Sequence, residues 1–373
     1  MVRLGLVGAN GQVGAELCLM LAERSDIELI PICRNRSGSA FLRWHGIACR
    51  HGRVANPEDA ARLLSDCDVI VNSSLASGSP SQIRRVEDQI IRNIFKYSKS
   101  SATIIHFSTQ SVYGDPRPHR WVRRRNPYGR AKLVSERKVR AQAQGTRKPA
   151  HILRLGHVCG ALQEISNAIR ASIRAQSVLL PAEDRSSNTV YTAAIIGAID
   201  QIIAQRVDPG TYDLMNTPRW TWRKVYEYEA GICQVPLNAR IVGLSTISRR
   251  SKIIAPLLRI AGSLAAAPSM RDLFAKIFAN VPESMNARAM AWWYARRART
   301  EISALAPPHA VPEHLSWVEN GDNFFPAAFP TMDLLRAAAP LVRTPNEAAS
   351  WLADFPDARQ SVSDQLPETA PSS

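Results

Sequence analysis

The amino-acid sequence predicts an α/β fold: a doubly wound parallel sheet, a smaller region after it, and a helical C-terminal extension. The main observation is that short apolar runs alternate with longer amphipathic runs through the first half of the chain, a pattern typical of strands joined by helical crossovers. A second is the glycine-rich turn directly after the first apolar run. A third is the end of this rhythm near Val235, after which basic and apolar residues mix at helical spacing.

The alternation assigns each element in turn. The predicted strands are Val2–Val7, Ile27–Cys33, Val69–Val71, Thr103–Phe107 and His151–Leu155. The predicted helices between them are Gly14–Glu23, Pro57–Leu64, Ile83–Ser98 and Tyr128–Gln144. Because crossovers between parallel strands are right-handed, the carboxyl ends of these strands should meet along one edge, where ligands bind.

The remaining chain follows a looser pattern. Predicted helices there are Glu164–Gln176, Ala193–Ala204, Ser248–Ala267 and Met270–Ala304, with a short strand at Thr211–Leu214. The predicted organisation is a dinucleotide-binding domain at 1–160, an interleaved substrate-binding region at 161–235, a mostly helical extension at 236–357 and a disordered tail at 358–373. The tail is assigned on its polar, Pro- and Ser-rich composition.

The turn after the first strand predicts a phosphate-binding site. Glycines allow a tight turn and a close approach of the backbone to a pyrophosphate, and the helix that follows offers free N–H groups. This turn and its position identify the first domain as Rossmann-type. The residues expected to bind the cofactor here are Gly8, Asn10, Gly11, Gln12, Val13, Gly14 and, after the third strand, Ser73.

The end of the second strand bears on the choice of cofactor. A site for NAD(H) usually has an acid here for the ribose hydroxyl, whereas an arginine suits the 2′-phosphate of NADP(H). This chain has no acid at the position but has Arg34 and Arg36. The sequence therefore favours NADP(H) over NAD(H), and the alternative is that both arginines are solvated loop charges.

Tyr128 and Lys132 form the predicted proton-transfer pair. They are four residues apart at the start of a helix and so share one of its faces. An ammonium beside a phenol lowers the pKa of the phenol, which can then exchange a proton near neutral pH. The strand leading to Ser108 and Thr109 ends at the same edge of the sheet.

Together these motifs resemble the extended short-chain dehydrogenases/reductases, in particular their nucleotide-sugar epimerase and dehydratase group. The matching stretches are GANGQVG at 8–14, FSTQSVYG at 107–114, NPYGRAK at 126–132 and, more weakly, LRLGHVCG at 153–160. The resemblance covers about residues 1–225. It implies that Thr109, Tyr128 and Lys132 are catalytic, and that Lys132 also holds the nicotinamide ribose.

Departures from the family pattern narrow the expected reaction. Dehydratases of this group have Asp-Glu after the active-site Thr, where this chain has Gln110 and Ser111. Epimerase or ketone reductase chemistry is therefore expected, with Ser111 contacting substrate. His157 stands where relatives have Asn and is either a substrate contact or a buried hydrogen-bonded histidine. A basic stretch before Tyr128 is expected to clamp a diphosphate, or else to be a solvated loop, and it includes Arg123, Arg124 and Arg125.

Charge and composition bound the partners. A net charge of +15 favours anionic small molecules, here a sugar derivative. Nucleic acid is not expected, since no known binding motif appears. The basic stretch 248–300 with Trp292-Trp293 either contacts an anionic membrane surface or caps the substrate region. Family analogy suggests a homodimer through two long helices.

The cysteines and termini bear on the compartment. Six cysteines without a CxxC pair predict reduced thiols and no metal site. No signal peptide or spanning helix is predicted, so a cytoplasmic protein is expected, with the inner membrane face as the alternative. Two further functions stay open: a ketoreductase or dehydrogenase of a non-sugar molecule, and a non-catalytic NADP-binding scaffold or regulator.

Overall fold

A computed structural model describes residues 1–76, 80–113, 127–242, 323–325 and 331–338. Its centre is a parallel sheet of seven strands in the order β3-β2-β1-β4-β5-β6-β10. These strands are β1 Val2–Val7, β2 Ile27–Cys33, β3 Arg50–His51, β4 Val69–Asn72, β5 Thr103–Thr109, β6 Ala150–Leu155 and β10 Gly210–Leu214. This confirms the predicted fold class.

Helices cover both faces of the sheet. They are α1 Gln12–Leu21, α2 Ala40–Trp44, α3 Pro57–Leu64, α4 Pro80–Tyr97, α5 Pro127–Thr146, α6 Glu164–Arg174, α7 Thr192–Ile203, α8 Trp222–Cys233 and α9 Thr331–Ala338. One apolar cluster joins the sheet to α1 and α7, and a second joins its other face to α3, α4 and α5. The sheet is therefore buried on both sides, as a parallel sheet requires.

The strand order places a crevice beside β1. The chain runs from β1 outward to β2 and β3, then returns to the other side of β1 with β4 and continues outward to β5 and β6. At such a reversal the loops after two adjacent strands diverge and leave room for a ligand at their carboxyl ends. The loops concerned here are those after Val7 and Asn72.

A second region lies beyond β6. It contains two small parallel sheets, β7 His157–Cys159 with β9 Thr189–Tyr191, and β8 Val178–Pro181 with β11 Ala239–Val242. Helices α6 and α8 pack together there. A buried ion pair between Arg170 and Glu229, 2.6 Å from Nε to Oε2, links them.

Residues 323–325 pair with the edge of the sheet. The backbone of Asp213 in β10 accepts from Phe325 at 2.9 Å and donates to Asn323 at 2.6 Å, which extends the sheet edge. Helix α9 packs against α7. The predicted helices 248–267 and 270–304 and the predicted tail lie outside the described residues.

Most predicted elements match the structure closely. The bounds of β1, β2 and α3 coincide with the prediction, and α3 begins as its sequence suggests, with Asn56 capping the Asp59 N–H at 3.0 Å and Pro57 in the first turn. Helices α2, α8 and α9 were not predicted, nor were the short strands β3, β7, β8, β9 and β11. All six cysteines carry free thiols. Among the described helices none is long and apolar enough to cross a membrane.

Candidate active site

The glycine turn between β1 and α1 is sterically closed to larger residues at two positions. Gly8 has φ +85°, and a Cβ there would lie 2.8 Å from the Ser74 backbone. A Cβ on Gly14 would overlap the carbonyl oxygen of Gly8. Gly11 donates from its N–H to the Gly8 carbonyl at 2.9 Å, which closes the turn. The turn therefore brings bare backbone and the start of α1, at Gln12 and Val13, to the crevice.

The loop after β4 lies directly against this turn. The hydroxyl and the N–H of Ser73 both donate to the Val7 carbonyl, at 2.9 and 3.0 Å. The side chain of Gln12 points the other way and donates to Glu164 at 2.9 Å. Ser73 therefore lies beside the glycine turn, and the Gln12 carbonyl accepts from Gln163 Nε2 at 3.2 Å.

Basic side chains surround the loop after β2. Arg34 and Arg36 are exposed, and the Arg36 carbonyl accepts from Arg43 Nη2 at 3.1 Å. Burial and the charge of Arg36 lower the pKa of Arg43, and burial together with Arg43 and Arg36 lowers the pKa of His51. The charges of Arg36 and Arg43 contribute to these shifts besides burial, and positive charge at this loop suits an anionic group.

The same loop meets the glycine turn. The N–H of Gly38 donates to Asn35 Oδ1 at 2.8 Å, and a Cβ on Gly38 would lie 3.1 Å from Asn10 Nδ2. Asn10 of the glycine turn is therefore next to the loop that carries Arg34 and Arg36. The loop after β2 thus meets the glycine turn at Asn10, and the loop after β4 meets it through the contact of Ser73 with Val7.

Tyr128 and Lys132 are brought to the crevice by the start of α5. A side chain on Gly129 would overlap the Ser111 carbonyl, so the helix and the turn after β5 are in close contact. Lys132 is 5% exposed, and its Nζ donates to Phe107 O at 3.3 Å and to Ser74 O at 3.5 Å. Tyr128 is 40% exposed and so remains accessible to a substrate.

The electrostatics of this pair differ from the sequence-based expectation. Burial and the charge of Glu87 raise the pKa of Tyr128. Burial lowers the pKa of Lys132, and Glu87 and Glu136 oppose that shift. Without ligands, Tyr128 is therefore a protonated phenol, suited to giving a proton, and Lys132 Nζ contacts backbone carbonyls.

Thr109 and Ser111 lie at the carboxyl end of β5. Thr109 Oγ1 donates to Ser111 Oγ and accepts from the Ser111 N–H, each at 3.2 Å. The close contact of Gly129 with the Ser111 carbonyl places both hydroxyl residues next to the first turn of α5. The structure thus brings Thr109, Ser111, Tyr128 and Lys132 to one end of the crevice.

The remaining predicted substrate residues are less closely tied to this cluster. His157 begins β7, its N–H donates to Asn188 O at 2.8 Å, and its ring centroid lies 5.5 Å from that of Trp222. The adjacent Gly156 is in close contact with Asn188, and a Cβ there would lie 3.5 Å from Gln110 Oε1. Arg123, Arg124 and Arg125 lie outside the described residues.

The sequence analysis missed three polar side chains buried near Lys132. They are Asn72 at the end of β4, Glu87 in α4 and His106 in β5. Burial and the charge of Lys132 lower the pKa of His106 to about 3. A signal was available for Glu87, because it shares the i, i+4 spacing of Ile83 and Ile91 and so falls on the apolar face of its helix.

Comparisons with known proteins identify the family and the fold. The sequence model of the NAD dependent epimerase/dehydratase family matches residues 5–190. No curated protein is similar enough in sequence to count as a match.

Two solved structures from Bacillus cereus share the fold. The first is a UDP-N-acetylglucosamine 4-epimerase with 17% sequence identity and a TM-score of 0.51, covering 65% of this chain and 86% of that one. The second is a UDP-glucuronic acid 4-epimerase in complex with NAD, with 16% identity and a TM-score of 0.51, covering 65% of this chain and 87% of that one.

Proposed function

Because this chain belongs, through residues 5–190, to the NAD dependent epimerase/dehydratase family, we propose that it is an NADP(H)-using epimerase or ketone reductase of a nucleotide-activated sugar. The observation that carries the proposal is the juxtaposition of Tyr128, Lys132 and Thr109 with the glycine turn at one crevice. Binding of a dinucleotide along the turn would place its nicotinamide end near this cluster, since the loops after β1 and β4 are in contact.

The residues of the crevice fit a dinucleotide in three places. Bare backbone at Gly8 and Gly14 leaves room for a pyrophosphate at the start of α1. The positive surroundings of Arg34 and Arg36 suit a ribose 2′-phosphate. Lys132, whose Nζ lies at the Ser74 and Phe107 carbonyls, is placed to hold the nicotinamide ribose. When bound, the nicotinamide supplies or accepts the hydride.

The protein's own part in the reaction is to position the sugar and move a proton. Thr109 and Ser111 offer hydroxyls that can orient a sugar hydroxyl or carbonyl, and Tyr128 carries the proton that must arrive at or leave the sugar oxygen. Because the pKa of Tyr128 is raised, the phenol is protonated near neutral pH, which is the form needed to give a proton to a carbonyl in the reducing direction. Elimination of water needs acids at the positions of Gln110 and Ser111, and neither residue is an acid. Dehydration is therefore not proposed.

A nucleotide sugar is proposed because of charge and of the relatives. Both Bacillus cereus structures are epimerases of UDP sugars, and the chain carries a net charge of +15. The arginines at 123–125 immediately precede the start of α5, and a planar guanidinium pairs well with a diphosphate. We propose that they bind the diphosphate of the substrate.

The cofactor part is tested by calorimetric titration with NADPH and NADH. Gly14→Val should abolish binding of both, because the side chain would occupy the position of the Gly8 carbonyl. The double variant Arg34→Ala/Arg36→Ala should weaken NADPH roughly tenfold or more and leave NADH nearly unchanged, since one charge-assisted contact contributes about 1.5–3 kcal/mol. Gly145→Ala is the control, because nothing lies within 4 Å of a Cβ there.

The substrate part is tested by following NADPH absorbance and sugar products with a panel of UDP- and dTDP-sugars. Tyr128→Phe should reduce kcat by about 10²–10⁴-fold with a small effect on KM, as expected for loss of a general acid. Turnover of a non-sugar ketone, with no turnover of any nucleotide sugar in the panel, would redirect the proposal to a non-sugar ketoreductase. Absence of binding to either dinucleotide would overturn it in favour of a scaffold.

A further inference from the structure

Glu87 is a buried acid, and among the described residues no lysine or arginine forms an ion pair with it. Its Oε2 accepts from the Ser135 hydroxyl at 2.7 Å. Its Oε1 is buried and has no hydrogen-bond partner in the described part of the chain. An incompletely satisfied carboxylate in an apolar interior costs free energy, so its retention calls for a reason.

A second acid nearby, Glu136, shows what full compensation looks like. Arg154 donates to it twice, from Nε at 3.0 Å and from Nη2 at 2.9 Å, and Ser108 donates at 2.6 Å. The guanidinium cancels most of the charge that Glu136 presents to its surroundings. Of the two acids that act on Lys132, Glu87 is therefore the one whose charge reaches it uncancelled.

Glu87 contacts the face of α5 that carries the predicted proton-transfer pair. Tyr128, Lys132 and Ser135 are separated by four and three residues, so they lie along one face of the helix. Because Ser135 is bonded to Glu87, the carboxylate lies on that face. Lys132 Nζ has only two long contacts to carbonyls in the described structure, at 3.3 and 3.5 Å. Such contacts alone hold a buried ammonium weakly.

His106 cannot take the place of Glu87. Asn72 Oδ1 accepts from the N–H and the hydroxyl of Ser74, at 3.2 and 2.7 Å, which turns Asn72 Nδ2 toward His106 Nδ1 at 3.2 Å. The Nδ1 atom is then an acceptor, and the proton of the neutral ring is on Nε2. Neutral His106 offers Lys132 no negative charge.

We propose that Glu87 is a positioning residue for the Tyr128–Lys132 pair, holding Lys132 as an ammonium and keeping Tyr128 in its protonated form. The carboxylate acts through space from α4 and does not touch the substrate. This inference rests on the proposed function for its catalytic meaning. Its physical content, the action of one charge on two named groups, is testable without any substrate.

The test is the ionisation of Tyr128 in the ligand-free full chain, followed by ultraviolet difference titration against Tyr128→Phe. Glu87→Gln keeps the shape and the Ser135 contact but removes the charge. It should lower the pKa of Tyr128 by about one unit, a tenfold change in proton affinity. Asp88→Asn is the matched control: it removes a charge one residue away that is held by Arg92 at 2.8 Å and Lys138 at 2.6 Å, and it should leave Tyr128 unchanged.

Glu87→Asp provides the second variant, because it keeps the charge but withdraws it by one methylene. We expect an intermediate shift in the pKa of Tyr128 and, in turnover assays, a partial return of the wild-type pH profile. In the oxidising direction, which needs the phenolate, the acid limb of kcat should move to lower pH in Glu87→Gln. A purely structural role would lower thermal stability without moving this limb.

The outcomes separate the two proposals. An unchanged Tyr128 titration in both Glu87 variants overturns the inference, whether or not the protein turns over a sugar. A shifted titration in a protein that binds no dinucleotide supports the role of Glu87 and overturns the proposed oxidoreductase.

Discussion

Two buried acids, Glu229 and Glu87, lie in different surroundings. In the second region, Glu229 of α8 accepts from Arg170, Ser166 and Tyr191 at 2.6–2.8 Å. On the face covered by α4 and α5, Glu87 has one hydroxyl donor and a second oxygen without a partner in the described structure. The first acid holds helices together, whereas the second lies beneath Tyr128 and Lys132.

This difference indicates what each buried charge does. A fully satisfied acid contributes through the contacts it makes, and its loss leaves those partners buried and unpaired. An acid left partly unsatisfied presents its charge to its neighbours, which is useful where pKa values must be adjusted. Departures from local satisfaction are expected at functional sites.

The largest expected effect is on the free energy of unfolding, when Glu229, the acid with both oxygens hydrogen-bonded, is removed. Glu229→Ala should lower the free energy of unfolding by about 3–5 kcal/mol, because it leaves the buried Arg170 guanidinium without its counter-ion. The measurement is urea unfolding at pH 7 followed by circular dichroism. A Glu229→Ala protein that remains folded should respond to NADPH as the unchanged protein does, because the contacts of Glu229 given above do not involve the glycine turn.

Asp333→Asn is the control for that prediction. The Asp333–Arg336 pair is 3.5 Å apart and both side chains are mostly exposed, so its removal should change the free energy of unfolding by no more than about 0.5 kcal/mol. Equal losses for the two variants would break the comparison, because they would mean that burial and complete hydrogen bonding add nothing to the Arg170–Glu229 pair.

The next effect is a pH dependence on the other face. The pKa of His106 is about 3, below the usual 6.5, so its neutral form is the one that the fold retains. Its contribution is complete above pH 6.5 and is lost as the pH falls toward 3, at up to about 1.4 kcal/mol per pH unit. His106→Asn should flatten that slope in urea unfolding between pH 6.5 and 4, although its stability at pH 7 is lower.

His51 sharpens this test. Burial and nearby arginines lower its pKa too, but it is only partly buried, so His51→Asn should flatten the slope less. If the wild-type slope persists in His106→Asn, the acid sensitivity comes from other groups and the assigned neutrality of His106 is wrong.

The sheet could be predicted because its information is local. The bounds of β2, Ile27–Cys33, follow from an apolar run, and those of α3 follow from Asn56-Pro57 at its start. Helix α8 was missed although its buried residues Trp222, Val225, Tyr226 and Ala230 recur at helical spacing and Thr221 caps the Lys224 N–H at 3.3 Å. The charged residues of WRKVYEYEAGIC, which include the buried Glu229, interrupt the apolar pattern. Strands of three or four residues in the second region form only through pairing with distant partners.

The candidate site also combines residues that local motifs indicate with a residue that only tertiary packing brings to the site. Gly8, Gly14, Tyr128 and Lys132 stand in short motifs whose spacing carries the chemistry, so the sequence indicates them. Glu87 is 45 residues from Lys132 in the numbering, and its relevance arises only when α4 packs on α5. Tertiary packing also reverses the expected shift of Tyr128, since burial and the charge of a distant acid raise the pKa that a nearby lysine was expected to lower.

The smallest effect separates the stability of α5 from its electrostatics. Gly145 lies one residue before the end of α5, where a Cβ would have nothing within 4 Å. Gly145→Ala should raise the free energy of unfolding by about 0.5 kcal/mol, since alanine loses less backbone entropy in a helix and the last turn is only partly constrained. Urea unfolding measures the gain, and the Tyr128 titration should stay at its wild-type position. A shifted titration would mean that the far end of α5 controls the proton-transfer pair through the helix, and the action of Glu87 would then have to be separated from helix stability.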